Sequence, residues 1–162
     1  MTVQVQSGGL ARRSLAAART IAQSCLGWRV RMMNRLVTAH YDDALRPLGL
    51  TGAQLSILCA LQLSPRRRPV DIGNILKIDK STLSRNLERM ARNGWISKAA
   101  RRGELGITPQ GLRLVAEALP RWKKAQAEVE ELLGVKGSGV VAAIAMNLAG
   151  GRARAATAAD ML

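Results

Sequence analysis

Asp79-Lys-Ser-Thr-Leu-Ser-Arg-Asn-Leu-Glu-Arg-Met-Ala-Arg-Asn-Gly94 is the stretch whose reading decides the fold. Asp79 is a good N-cap, and Asn93-Gly94 is a helix stop signal. Between them Leu83, Leu87 and Met90 fall at i, i+4 and i+7, which makes one narrow apolar stripe on a helix over 80–93. The rest of that helix is polar. Its first turns offer Lys80, Ser81, Thr82, Ser84 and Arg85, with Arg89 further on. Such a helix is pinned to a core along one line and leaves its other faces open.

Upstream, Val70 to Ile78 holds Ile72, Ile75, Leu76 and Ile78 and predicts a helix of about two turns. The tract Arg66-Arg67-Arg68-Pro69 before it reads as a basic connector. Thr51-Gly-Ala-Gln54 has the spacing of a capping box, and it opens a helix that should stop at Ser64-Pro65. Downstream, Trp95 to Ala99 and Glu104 to Ile107 read as two short strands joined at Arg101-Arg102-Gly103, a small hairpin with a basic tip. Thr108-Pro109 then starts another helix, with Thr at the N-cap and Pro at N1.

The flanks are helical by pattern. From Leu10 to Leu45 there is no proline, and Ile21, Cys25, Trp28, Met32, Leu36 and Ala39 follow spacings of three and four, so one long helix is expected up to Arg46-Pro47. Residues 1–9 read as a flexible arm. After Thr108 an apolar stripe runs through Leu112, Val115, Leu119, Trp122, Val129 and Leu133 to Gly134, with Pro120 expected to kink or break it. A last apolar helix is expected over 139–149, and 150–162 reads as a tail.

Composition limits what this assembly can be. With no Phe, one Tyr and three Trp in 162 residues, aliphatic side chains and Met must fill the core, which suits helix-on-helix packing. Charge is uneven within a net +14. Residues 51–115 hold twelve basic and four acidic side chains, net +8, whereas residues 116–162 are nearly balanced at +1. A basic centre of this kind meets a polyanion, either nucleic acid or an anionic surface. A single His and two Cys exclude a Cys/His zinc cluster and a disulfide framework. The longest apolar run, 140–146, is too short to span a bilayer, so no membrane association and a cytoplasmic location are expected. There is no paired-carboxylate constellation, phosphate-binding loop or Ser/His/Asp order, and Glu128, Glu130 and Glu131 read as a solvated helix face. Catalysis is therefore not expected, and neither is a cofactor or metal.

In order, these elements make a mainly α fold with a small β-hairpin wing, that is, a winged helix-turn-helix. Helix 80–93 is its reader. Small hydroxyls and one Arg in the first turns fit a major groove, and Arg66, Arg67, Arg68, Arg101 and Arg102 would add backbone contacts. A basic architectural or RNA-associated protein with little sequence readout is the alternative that the charge alone leaves open.

The sequence also resembles the multiple-antibiotic-resistance regulator (MarR) family of bacterial transcription factors. The resemblance covers about residues 22–134. It is carried by Val37-Thr-Ala-His-Tyr-Asp-Asp-Ala-Leu-Arg-Pro-Leu-Gly-Leu-Thr-Gly-Ala-Gln54, Ile78-Asp-Lys-Ser-Thr-Leu-Ser-Arg85, Leu87-Glu-Arg-Met-Ala-Arg-Asn-Gly-Trp-Ile96 and Leu105-Gly-Ile-Thr-Pro-Gln-Gly111. It implies a single-domain protomer within a homodimer. Residues 1–20 would be a basic arm and helix start, 21–46 and 108–149 dimerisation helices, 51–107 the winged helix-turn-helix lobe, and 150–162 a tail. It further implies double-stranded DNA with a palindromic operator as partner, repression, and release by a small phenolic or aromatic effector. Trp28, Arg31, His40 and Arg46 are the candidate walls of an effector pocket.

The chain departs from the family in its wing, where Ala100-Arg101-Arg102-Gly103-Glu104 is about four residues shorter than usual. Arg101 and Arg102 either enter a minor groove or touch phosphates. The position of the reactive cysteine in the peroxide-sensing branch is Gly27 here; Cys25 lies two residues earlier, with Arg29 nearby, and is the one candidate redox residue. Cys59 falls on an apolar face and reads as core.

Overall fold

Each helix of the central lobe begins where a side chain can take up unpaired backbone N–H groups. The computed structural model describes the backbone of residues 3–65, 67–98 and 103–159, and the side chains of 9–65, 67–97 and 103–148. The chain forms two compact units, residues 1–39 and 40–162.

In the first unit, α1 runs Val3–Ser24 and α2 (Leu26–Leu45) begins. The single long helix expected from Leu10 to Leu45 is thus interrupted at Cys25, and helix extends back to Val3, where an arm was expected. Local polar competition explains the break. Arg29 donates to the Gln23 carbonyl, and the Trp28 N–H turns to the Cys25 sulfur at 3.4 Å. Cys25 thereby serves as the N-cap of α2.

In the second unit, α2 ends at Leu45, followed by a 3-10 turn, Arg46–Leu48. Gly49 closes that turn at φ 67, a left-handed conformation that glycine adopts without penalty. α3 (Gly52–Leu63) opens on the predicted capping box. The Thr51 hydroxyl accepts the Gln54 N–H at 3.3 Å, and the Gln54 side chain accepts the Thr51 N–H at 3.1 Å. Asp42 adds a third acceptor for this helix start, taking the Gly52 N–H at 2.7 Å. These bonds allow Gln54 to be buried without an unsatisfied polar atom.

α4 (Pro69–Leu76) and α5 (Lys80–Arg92) form the helix-turn-helix. Lys77 makes the turn between them at φ 54, left-handed. Leu83, Leu87 and Met90 are buried, as their spacing required, among Leu45, Leu50, Ile57, Leu58, Leu61 and Ile72. Each such side chain contributes about 1.5–3 kcal/mol by burial.

The hairpin pairs β1 (Ile96–Lys98) with β2 (Leu105–Ile107), antiparallel, in the register Ile96 to Ile107, Ser97 to Gly106 and Lys98 to Leu105. The connector before α4 holds a feature the sequence concealed: Arg67 bridges to Leu105 on the other edge of β2. α6 runs Pro109–Ala159. The Thr108 hydroxyl at its start accepts the Gly111 N–H at 3.1 Å and donates to the Gly94 carbonyl at 2.6 Å, tying the hairpin to the helix.

Pro120 does not break α6. The helix is interrupted only at Gly134, which is in a non-helical conformation (φ 69, ψ 163). Pro120 and Ala116 both face solvent, so the Ala116 carbonyl deprived of its partner can turn to water. Backbone past Gly134 returns to helix and stays helical through Ala159, covering most of the stretch read as a tail.

Candidate nucleic-acid interface

The start of α5 is organised by one carboxylate. Asp79 accepts the Thr82 N–H at 2.9 Å and the Ser81 hydroxyl at 2.7 Å. These bonds hold its carboxyl well below the usual carboxylate range, the Ser81 hydroxyl first among the causes and the Thr82 backbone next. Because Ser81 spends its proton on Asp79, its oxygen faces outward as an acceptor.

Lys80, Ser81, Ser84, Arg85 and Arg89 are exposed, as expected of a reading face. Thr82 departs from that expectation. It is half-buried, and its carbonyl accepts the Asn86 side-chain amide at 3.0 Å. The Arg85 guanidinium lies 3.4 Å from the Thr82 hydroxyl oxygen, a long bond that steadies the Arg over the first turn. Two exposed residues on this helix escaped the sequence reading: Glu88, which accepts from the Ser84 hydroxyl at 3.1 Å, and Arg92 in the last turn. The signal for both was helical spacing from Arg85 and Ser84.

Of the basic connector, Arg67 is exposed, and its carbonyl accepts the Leu105 N–H at 2.8 Å. Arg68 has a different task. Its backbone N–H and its guanidinium both address Asp71, at 3.1 and 3.4 Å, which caps α4 and keeps the Asp71 carboxyl below its ordinary value. Its charge is thus already partnered. Arg66, Arg101 and Arg102 lie outside the described residues.

The candidate effector residues fall in separate surroundings. Trp28 and Arg31 are exposed residues of the first unit. His40 lines a polar crevice of about 380 Å³ in the second, with Asp43, Pro47, Arg121, Lys124 and Glu128. Arg46 is not a wall of it, and its guanidinium pairs with Asp43. Beside the crevice, Tyr41 donates to Gln126, whose amide donates to Glu130 at 2.7 Å. Burial, and then the Glu130 charge, push the Tyr41 hydroxyl up. Cys59 packs partly buried against the core, and burial pushes its thiol up too. Among the described residues no single helix is long and apolar enough to cross a membrane.

Comparison with known proteins agrees with this layout. Residues 48–104 match the MarR family profile. The chain is 30% identical over 73 residues to the multiple antibiotic resistance protein MarR of Escherichia coli, covering 45% of this chain and 51% of that protein. It thus spans about half the length of that curated relative. The transcriptional regulator MosR of M. tuberculosis superposes with a TM-score of 0.71 at 34% identity, over 82% of this chain and 97% of MosR. The transcriptional repressor CouR, bound to p-coumaroyl-CoA, superposes with a TM-score of 0.72 at 22% identity, over 80% of this chain and 94% of its own. A mutant E. coli MarR complexed with operator DNA does so at 0.68 and 19%, over 79% and 96%. The last two likenesses speak for the fold: winged helix-turn-helix, mainly helical, with one small hairpin. Carried by the profile match and by the near-complete coverage of MosR, the conclusion is that this chain belongs to the MarR family of transcriptional regulators.

Proposed function

We propose that the protein is a homodimeric repressor that binds a palindromic double-stranded DNA operator through α5, with the hairpin as its wing. The observation that carries this reading is the make-up of α5. Three buried residues pin it, while Lys80, Ser81, Ser84, Arg85 and Arg89 remain outside, the Ser81 and Ser84 hydroxyl protons being given to Asp79 and Glu88. Guanidinium donors and hydroxyl acceptors are what base edges in a major groove require. Arg67, beside the wing, and Arg66, Arg101 and Arg102 supply phosphate contacts in this reading. Support for a DNA partner comes from the related fold seen with operator DNA.

The dimer reading rests on apolar surface. Leu10, Ile21, Leu26, Trp28 and Leu36 in the first unit are at least half exposed, as are Val140, Ile144, Met146 and Leu148 late in α6. Exposed apolar side chains in both of these stretches suit burial against a partner, and a second copy of the chain would supply it for both. For release, Arg121 at the polar crevice, where Lys124 is paired with Glu128 at 3.9 Å, suits an aromatic effector with an anionic or phenolic group. The CouR structure, bound to p-coumaroyl-CoA, supports the aromatic part of that reading.

A salt-titrated binding assay tests the main claim. A cognate operator should be held about a thousandfold or more tightly than random duplex at physiological salt. Equal affinity for both would replace this reading with that of a basic architectural protein, which the net charge of +14 also fits. Sedimentation of the free protein should give twice the 17.4 kDa chain mass.

A further inference from the structure

α5 carries a single acidic residue, Glu88, amid Lys80, Arg85, Arg89 and Arg92. A helix that met only phosphates would be weakened by a carboxylate there. Among the described residues no ion pair engages Glu88, although Arg85 lies three residues before it and Arg92 four after. Its carboxylate is instead drawn back towards the N-terminal half of the helix, where the Ser84 hydroxyl donates to it at 3.1 Å. Ser81, Ser84, Arg85 and Glu88 stand at i, i+3, i+4 and i+7, and all four are exposed. That is the spacing with which a helix lying in the major groove addresses successive bases.

We propose that Glu88, oriented by Ser84, determines specificity for a cytosine in each half-site. A carboxylate only accepts hydrogen bonds. In the major groove cytosine offers the N4 amino group as its sole hydrogen-bonding function, whereas guanine and thymine offer acceptors that would repel Glu88. Adenine offers N6–H₂ but sets the N7 acceptor beside it, so one carboxylate oxygen would face a lone pair. The Ser84 bond fixes the side chain before DNA arrives, which limits the ordering cost of recognition. This assignment rests on α5 being the base-reading helix.

The test is selection of duplexes from a randomised library by the full-length protein, the Glu88→Gln variant and the Ser84→Ala variant, followed by competition at single positions. The wild type should require cytosine at one symmetric pair of positions, with roughly tenfold to hundredfold loss on replacement. Glu88→Gln should abolish that requirement or turn it to adenine, which an amide pairs in bidentate fashion, and leave the preference at neighbouring positions intact. Ser84→Ala should weaken the cytosine preference without changing its identity. Identical selected sequences for wild type and Glu88→Gln, with affinity altered equally on all DNA, would overturn the assignment and leave Glu88 a phosphate-repelling charge. If the wild type selects no sequence at all, the operator-binding reading fails first and the assignment falls with it.

Discussion

Arg67 and Leu105 are joined through their main chains: the Leu105 N–H donates to the Arg67 carbonyl at 2.8 Å. This bond gives the free edge of β2 a partner and brings the basic connector against the wing. The Arg67 side chain plays no part in it and stays exposed. Arg67→Ala should therefore leave unfolding unchanged within about 0.5 kcal/mol. On DNA it should reduce the slope of log affinity against log salt by about 0.9 per protomer, uniformly across sequences. Denaturant melts together with binding at several salt concentrations check both halves.

A side chain has no room at Gly111. A Cβ there would sit 2.3 Å from the Trp95 carbonyl oxygen and 2.8 Å from the Ile107 side chain, and the first of these is backbone that cannot swing away. Gly111→Ala should destabilise the fold by about 1–3 kcal/mol, since α6 must shift from the hairpin. Urea unfolding measures it, and a stability equal to wild type would contradict the close approach.

Asp79 links folding to pH. Its carboxyl is lowered in the folded chain, so the contribution is fully present above the unfolded carboxyl range near 4 and is lost as pH falls towards the folded value. Asp79→Ala should lower the denaturation midpoint at pH 7, and the gap from wild type should narrow on acidification below about pH 4. Midpoints measured at pH 7 and pH 3 check the sign. A gap that widens in acid would exclude the cap as its source.

The capping box at Thr51 gives a simpler case. Thr51→Ala removes the acceptor for the Gln54 N–H and should cost about 1 kcal/mol by thermal or chemical unfolding. The Asp42 contact to Gly52 remains, which keeps the loss moderate.

The arginines of the proposed interface should fall into two kinds. Arg85, within the first two turns of α5, should on change to Ala lose about 1–3 kcal/mol on operator and relax the base preference at one position. Arg66→Ala or Arg101→Ala should weaken all duplexes alike. Competition between operator and single-base variants separates the outcomes; an equal loss on every sequence for Arg85 would reduce it to a phosphate contact.

Periodicity and caps are local properties, and they determined α3, α5, the hairpin and the start of α6 from sequence alone. Thr51, Asp79 and Thr108 each act within three residues of themselves, so their side chains announce the helix starts directly. The stripe of Leu83, Leu87 and Met90 likewise identified the outer face of α5 before any fold was known. Only the tertiary structure decided the rest. Arg67 meets Leu105 although the two are far apart along the chain, and no propensity encodes that pairing. Pro120 is tolerated because its turn of α6 faces water, while the periodic helix is interrupted at Cys25 because its sulfur accepts the Trp28 N–H and the Arg29 side chain donates to the Gln23 carbonyl. Arg68 proved to be the partner of Asp71, and Glu88 the partner of Ser84. Composition counts charges, but which charge is already satisfied depends on distances that exist only after folding.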